Sequence, residues 1–278
     1  LPPSFEYKFV AVNAETGAVE EWEGRPNRTF HIQPLMRGET YLPMETEVFF
    51  NLPPRKIAGC AIPLFSIRSE GSCGTGDFGD LKSFIDWAAD TGQQAVQLLP
   101  INDTSGNGGW MDSYPYSAIS IYAFHPMYID LRQLPEPEDK EEAQLFETER
   151  RKLNAQPLLD YEAVNKTKWE YFHLIFKQEG EKVLASDAFR NFYEANKQPY
   201  AAFCYLRDLN HTPDFHQWSK YQTYDAVEIA KLCNPENEVY PKIAFHYYIQ
   251  YQLHKQLLDA ASHARQRGVI LKGDIPIG

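Results

Sequence analysis

The segment from Asp77 to Leu99 constrains the fold more than any other part of the chain. Its first part carries apolar residues at the i, i+3, i+4 and i+7 positions of one helix face: Leu81, Phe84, Ile85 and Ala88. Asp77 or Asp80 can cap this helix, and Gly92 can end it. The apolar strand Ala95 to Leu99 follows directly. A helix followed by a nearly all-apolar strand predicts a parallel sheet covered by helices.

Two further strands and a long helical region complete the pattern. The strands are predicted at Met127 to Leu131 and from Val269 to Asp274, and residues 136–240 are mostly helical by periodicity. A long helix from Pro241 to Gly268 should turn these residues inward: Ile243, Tyr247, Ile249, Leu253, Leu257 and Leu258. A closed barrel of eight strands needs about 250 residues of its own. We therefore predict an α/β fold, the first part of a TIM (β/α)8 barrel with a helical insertion, over 58–278.

The N-terminal region differs from the rest of the chain. Residues 1–34 read as β structure, with strands at Phe5–Val12, Val19–Glu23 and Thr29–Ile32. Two or three strands alone are marginal in water, so they should belong to a larger sheet or pack on other parts of the protein. The proline-containing segment 35–57 is predicted to be a linker.

Composition and charge exclude several classes of function. The formal net charge of −11 does not provide the basic face that nucleic-acid binders need. No apolar run approaches the roughly 20 residues that span a bilayer. The scattered cysteines favour a reducing, cytoplasmic setting over a metal site or a disulfide framework, with two disulfides as the alternative: Cys60, Cys73, Cys204 and Cys233. Because no unbroken strand precedes the glycines of 71–79, no nucleotide cofactor is expected.

The loop behind the strand Ala95–Leu99 carries the candidate binding residues. It contains Gly, Asn and Ser, and then the aromatic and hydroxyl side chains of 110–117. Flat aromatic faces stack on the C–H faces of sugar rings, while sugar hydroxyls bond to Asp, Ser and Asn. Tyr116 and Ser113 are therefore predicted to contact a sugar, although they could instead pack on the barrel rim. Trp110 and Asp112 fit either a sugar contact or the anchor and cap of a glycine-rich loop.

Three stretches of the chain are weak motifs alone but specific in this order. They are 74–80 with 93–100, then 112–117 with 125–131, and finally 244–246 with 272–277. Together the stretches resemble the amylomaltase or disproportionating-enzyme family, the 4-α-glucanotransferases that act on maltooligosaccharides. The resemblance implies retaining transfer of α-1,4-glucan segments through a covalent ester on an Asp.

The same resemblance assigns roles to individual residues. Asp274 matches the strand-end Asp that supports the glucose unit at the cleavage site; otherwise it would be a buried Asp that binds backbone amides. The family's nucleophile and acid lie on later strands, so no catalytic residue is expected in this chain, which should be inactive alone. The implied ligands are maltooligosaccharides, starch or glycogen-like α-glucans, with no nucleic acid or membrane partner.

One departure from the simpler family members concerns the loop and the N-terminus. Tyr114 makes the loop Ser-Tyr-Pro-Tyr, as in the larger bacterial and plant cytosolic type, which carries starch-binding modules ahead of the barrel. Residues 4–33 resemble the second half of such a β-sandwich module. Lys8, Trp22 and Asn27 would then hold a glucan chain, with Trp22 stacking on a ring; alternatively, Trp22 is the core residue of a small sheet.

Two other functions remain open from the sequence. One is a non-catalytic starch- or maltooligosaccharide-binding protein, and the other is a glucan hydrolase on the same barrel. His125, His246 and His254 are expected to be structural rather than catalytic. The chain is expected to be an N-terminal part of a longer enzyme.

Overall fold

The computed structural model describes residues 3–32, 34, 38, 40, 47–50, 56–195 and 199–276. The chain divides into two compact units, Leu1–Lys56 and Ile57–Gly278, which are described separately. Most of the linker predicted at 35–57 lies outside the described residues.

The first unit contains four short strands in two antiparallel ladders. Strand β1 (Ser4–Tyr7) pairs with β4 (Arg28–His31), and β2 (Val10–Val12) pairs with β3 (Val19–Trp22). The single strand predicted over Phe5–Val12 is therefore wrong, because residues 8 and 9 interrupt it and each half takes its own partner.

The second unit is built on the parallel sheet that the apolar strands predict. Its order is β5 (Gly59–Ile62), β6 (Ala95–Leu98) and β9 (Ile270–Lys272), with β6 in the centre. Strand β5 was not predicted, since it is short and Pro63 follows it directly. Only glycine fits at its first position, because a Cβ on Gly59 would collide with the carbonyl oxygen of Ala95.

The strand predicted at Met127–Leu131 is wrong. Residues Pro126–Tyr128 and Leu131–Gln133 form 3-10 turns, and the side chain of Asp130 caps the second turn by accepting the Arg132 amide. The strand lies earlier, at β8 (Ser120–Phe124), and pairs antiparallel with β7 (Asn102–Asp103). A local side-chain cap thus replaces the extended backbone that an apolar run alone favours.

Helix α1 (Phe78–Asp90) confirms the predicted cap and end. The Asp77 carboxylate accepts the amides of Gly79 and Asp80, and Asp80 completes a capping box. The predicted apolar face is fully buried except for Phe84, which is partly buried. Gly92 adopts φ +79° after the helix.

The predicted helical region contains α2 (Lys140–Asn154), α3 (Tyr161–Leu184), α4 (Asp187–Ala195), α5 (Tyr200–Asn210) and α6 (Ala226–Leu232). Helix α7 (Tyr240–Gln266) then packs on α1, α3 and α5. Its inward residues are as predicted, except that Leu258 is 51% exposed and faces outward. Among the described residues, no helix has the length and apolarity that crossing a membrane requires.

Strand β9 is shorter and less buried than predicted. The sequence predicts a buried strand from Val269, but only Ile270–Lys272 is extended, and Ile270 is 48% exposed. Residues 273–276 continue without regular structure, and Ile277 lies outside the described residues.

Candidate functional site

Two of the candidate binding residues, Tyr116 and Asp274, meet at one edge of the parallel sheet. Strands β6 and β9 run in the same direction, so the segments that follow them leave at the same edge. The hydroxyl of Tyr116, in the loop after β6, donates to Oδ2 of Asp274, after β9, at 3.0 Å. The prediction that Asp274 and Tyr116 share an edge is therefore confirmed.

Asp274 is half-buried and has only one backbone amide partner among the described residues. Its Oδ1 accepts the amide of Ile275 at 3.0 Å, and its Oδ2 accepts the Tyr116 phenol. The hydrogen bond to Asp274 raises the pKa of Tyr116, and burial of the phenol adds to this shift. This pair presents an aromatic ring together with a carboxylate at the sheet edge.

Tyr114 and Ser113 lie beside this pair in sequence. The ring centroids of Tyr114 and Tyr116 are 5.7 Å apart, and the ring planes make an angle of 48°. Tyr114 is exposed, whereas Tyr116 is half-buried. Ser113 ends a 3-10 turn, Trp110–Ser113, and its hydroxyl makes no hydrogen bond within the described part of the chain. The hydroxyl is therefore available to a ligand.

Asp112 holds the loop together from inside. Its Oδ2 accepts the amides of Gly106, Asn107 and Gly108 at 2.9, 2.9 and 2.7 Å. Thr104 also donates its hydroxyl to the backbone oxygen of Asp112. These contacts favour the cap interpretation of Asp112 over a direct sugar contact.

Unlike Asp112, Trp110 directs its side chain to solvent. Its backbone amide donates to Glu162 of α3 at 2.9 Å, while the residue is 68% exposed. Because the indole is so exposed, it does not anchor the loop. Its ring therefore remains available for stacking.

The sequence did not single out the residues that fasten the loop from outside. Asp103 is buried at the end of β7 and accepts hydrogen bonds from Ser105 and from Tyr200 of α5. Arg207, also on α5, donates to the backbone oxygen of Ser105. The available signal was an Asp close behind an apolar strand, but no sequence pattern links it to a helix about 100 residues away.

His125 and His246 have structural partners, and His254 is partly buried. His125 is buried between the Met127 amide, which donates to its Nδ1, and the hydroxyl of Tyr161, 2.8 Å from its Nε2; burial lowers the pKa of its ring. The Nε2 of His246 lies 3.4 Å from Asp208. Burial also lowers the pKa of His254.

A cluster of buried carboxylates lies at the start of α1. Asp77, Asp80 and Asp130 all bind the guanidinium of Arg132, and burial raises the pKa of Asp77 to about 7. All three are almost fully inaccessible, so none can reach a glycosidic bond as acid or nucleophile. Nor do the described residues contain a group of three His, Cys, Asp or Glu side chains able to hold a metal ion.

In the first unit, the predicted glucan contacts lie where the two ladders meet. Lys8 separates β1 from β2, Trp22 ends β3 opposite Val10, and Asn27 precedes β4. Trp22 is 62% exposed and is not a core residue. Asn27 donates to Glu6 at 3.1 Å, so its amide group is already partly engaged.

A buried ion pair supports this region. Glu23 is inaccessible to solvent, and its carboxylate accepts hydrogen bonds from the guanidinium of Arg28. The Nε of Arg28 lies 3.0 Å from Oε2 of Glu23. Hydrogen bonding to Arg28 lowers the pKa of Glu23 to about 2. The pair fixes the backbone next to Trp22 and Asn27.

Comparison with known proteins identifies the family. The 4-alpha-glucanotransferase family model matches residues 62–278. The chain is 40% identical over 276 residues to 4-alpha-glucanotransferase DPE2 of Oryza sativa subsp. japonica, covering 98% of this chain and 29% of that protein. It is 34% identical over 224 residues to the 4-alpha-glucanotransferase of Chlamydia muridarum, covering 79% of this chain and 41% of that protein.

A solved structure shares the fold. The amylomaltase from Streptococcus agalactiae in complex with acarbose superposes with a TM-score of 0.64 at 19% identity, over 80% of this chain and 43% of that chain. The chain thus spans less than half the length of these relatives. With a family model that covers most of it, the chain belongs to the 4-alpha-glucanotransferase family.

Proposed function

We propose that the protein containing this chain transfers α-1,4-glucan segments between maltooligosaccharides or starch chains. The observation that carries the proposal is the contact between Tyr116 and Asp274 at the edge of the parallel sheet. Family membership supplies the reaction class, and the contact supplies a place where a sugar ring can stack beside a carboxylate. The sheet, α1 and the helical insertion would form the first part of a (β/α)8 barrel.

In this proposal the chain contributes substrate contacts and no nucleophile or acid. Asp274 would stabilise the positive charge that develops on the sugar in the transition state. Tyr116 would stack on the ring, Ser113 would bond a sugar hydroxyl, and Trp110 would support a more distant part of the glucan. Asp112 would act through the loop that it caps. The unpaired cysteines favour work in a reducing compartment such as the cytoplasm.

Substitution of Asp274 tests the proposal in the full-length protein. Asp274→Asn keeps the size of the side chain and an acceptor for Tyr116 but removes the charge. We expect turnover of maltotriose to fall at least about 100-fold, because a preorganised charge in such a site contributes several kcal/mol. Thermal unfolding should change little. Unchanged turnover in a folded variant would remove Asp274 from the site.

The exposed Trp22 favours a second role, glucan binding by the first unit. Exposed aromatic rings provide stacking platforms for sugars, and Lys8 and Asn27 would add polar contacts. Trp22→Ala should weaken retention of the full-length protein on insoluble starch, with maltotriose transfer unchanged. The matched control is Trp87→Ala, which removes another half-exposed indole from a helix of the second unit. Equal loss of retention in both variants would contradict the role of Trp22.

A further inference from the structure

The substrate loop is fastened by a helix of the insertion. We propose that Tyr200 and Arg207 of α5 are positioning residues, which set the place of the loop that carries Ser113 and Tyr116. This inference rests on the proposed function, in which that loop contacts the sugar. Neither side chain makes a hydrogen bond to Ser113, Tyr116 or Asp274 among the described residues, so both would act through the loop rather than on the substrate.

The first fastening point is Asp103. Its Oδ2 accepts the Tyr200 hydroxyl at 2.5 Å, and its Oδ1 accepts the amide and hydroxyl of Ser105 at 3.0 and 2.6 Å. Asp103 is buried, and burial raises the pKa of Tyr200 well above its ordinary value. A buried carboxylate needs its hydrogen-bond partners, so loss of the phenol hydroxyl leaves Asp103 short of one donor.

The second fastening point is Ser105 itself. Arg207 donates from Nη1 to the backbone oxygen of Ser105 at 2.5 Å and from Nε to Asp208 at 2.8 Å. Asp208 lies 3.4 Å from His246 of α7, so the guanidinium is held in place from the side of the helices. Ser105 is therefore held by Asp103 through its amide and hydroxyl and by α5 through its carbonyl.

The hold on Ser105 extends to the binding residues. The next three amides, of residues 106–108, converge on Asp112, which directly precedes Ser113. A shift of Ser105 therefore displaces this amide cluster and the turn that contains Ser113. Displacement of about 1 Å in a site can cost on the order of 100-fold in rate. The helical insertion thus has a mechanical role in the site without touching the substrate.

The test uses Tyr200→Phe in the full-length protein, since this change removes one hydroxyl and keeps the ring. We expect kcat/KM for maltotriose to fall about 10-fold while the unfolding midpoint stays close to that of the wild type. Hydrogen exchange of a peptide covering 104–112 should become faster, because Asp103, which accepts the Ser105 amide, is then no longer held by α5. The matched control is Tyr205→Phe on the same helix, whose hydroxyl makes no hydrogen bond within the described residues.

Arg207 provides a graded second test. Arg207→Lys keeps one donor for the Ser105 oxygen, whereas Arg207→Met keeps none. From the wild type through Arg207→Lys to Arg207→Met, kcat/KM should therefore fall and hydrogen exchange of 104–112 should become faster. A Tyr200→Phe variant with wild-type kcat/KM and wild-type exchange would overturn the proposal. If the wild-type protein shows no transfer, the proposed function fails, and faster exchange in 104–112 still decides whether α5 holds the loop.

Discussion

At the scale of the residue, Tyr116 is the side chain whose ring would stack on the sugar in the proposed site. Tyr116→Ala removes both the stacking ring and the donor to Asp274, so kcat/KM for maltotriose should fall about 10- to 100-fold, equivalent to roughly 1–3 kcal/mol. The control is Tyr224→Ala, which deletes a tyrosine that is 65% exposed and lies outside the site. Tyr161 is unsuitable as a control, because it is buried and its hydroxyl is hydrogen-bonded to His125. Similar losses in both variants, at equal stability, would exclude Tyr116 from the site.

Individual residues also show what the sequence can and cannot predict. Tyr116 and Asp274 were predictable because each follows a strand of the same parallel sheet, and such strands direct their loops to one edge. Asp112 had two interpretations, and the choice between them depends on where three amides point, which is a property of the folded loop. Tyr200 and Arg207 could not be found, since their role arises only when distant segments meet.

At the scale of the element, helix α1 was the most predictable part of the fold. Its cap, apolar face and terminal glycine are all local sequence signals, and all three agree with the observed helix. The predictions failed where one short apolar run fits two conformations. Residues 127–131 are as apolar as a strand, yet the His125 and Asp130 side chains cap successive 3-10 turns there. Strand β5 was missed because four residues followed by Pro63 give too little alternation to identify a strand.

The buried cap of α1 makes its stability depend on pH. Burial raises the pKa of Asp77 to about 7, compared with about 3.9 in an unfolded chain. The folded state therefore favours the protonated acid, and the stability linked to this group is full below about pH 4 and is lost as pH rises through about 7. Asp77→Asn keeps a good N-cap without a charge, so it should gain stability relative to the wild type between pH 4 and 7.

Urea unfolding at pH 5 and pH 8 measures this change. The free energy of unfolding of Asp77→Asn minus that of the wild type should be larger at pH 8 than at pH 5. The control is Asp139→Asn at the exposed N-cap of α2. Its free energy of unfolding minus that of the wild type should be nearly the same at both pH values. A difference for Asp77→Asn that shrinks as pH rises would show that Arg132 and not burial controls this carboxylate.

At the scale of the whole molecule, the proposed function places sugar binding in this chain and the cleavage chemistry on later strands. The chain spans 29% of the rice relative and 41% of the chlamydial one, and the resemblance assigns the nucleophile and the acid to later strands. What this chain provides is one edge of a sheet, with a loop fastened by α5 and an aromatic–carboxylate pair. In the proposed function these features bind and orient the sugar, and its cleavage falls to the later strands.

This division predicts that residues 1–278 alone do not transfer glucose units. Retaining transfer needs a carboxylate nucleophile and a carboxylic acid about 5–5.5 Å apart on either side of the bond. The clustered carboxylates of this chain, at the start of α1, are instead buried around Arg132. Incubation of the chain with maltotriose should therefore yield neither shorter nor longer sugars, whereas the full-length protein should yield both. Turnover by the chain alone at a rate near that of the full-length protein, and its loss in a Tyr116→Ala variant of the same chain to exclude contamination, would place the reacting carboxylates within these residues.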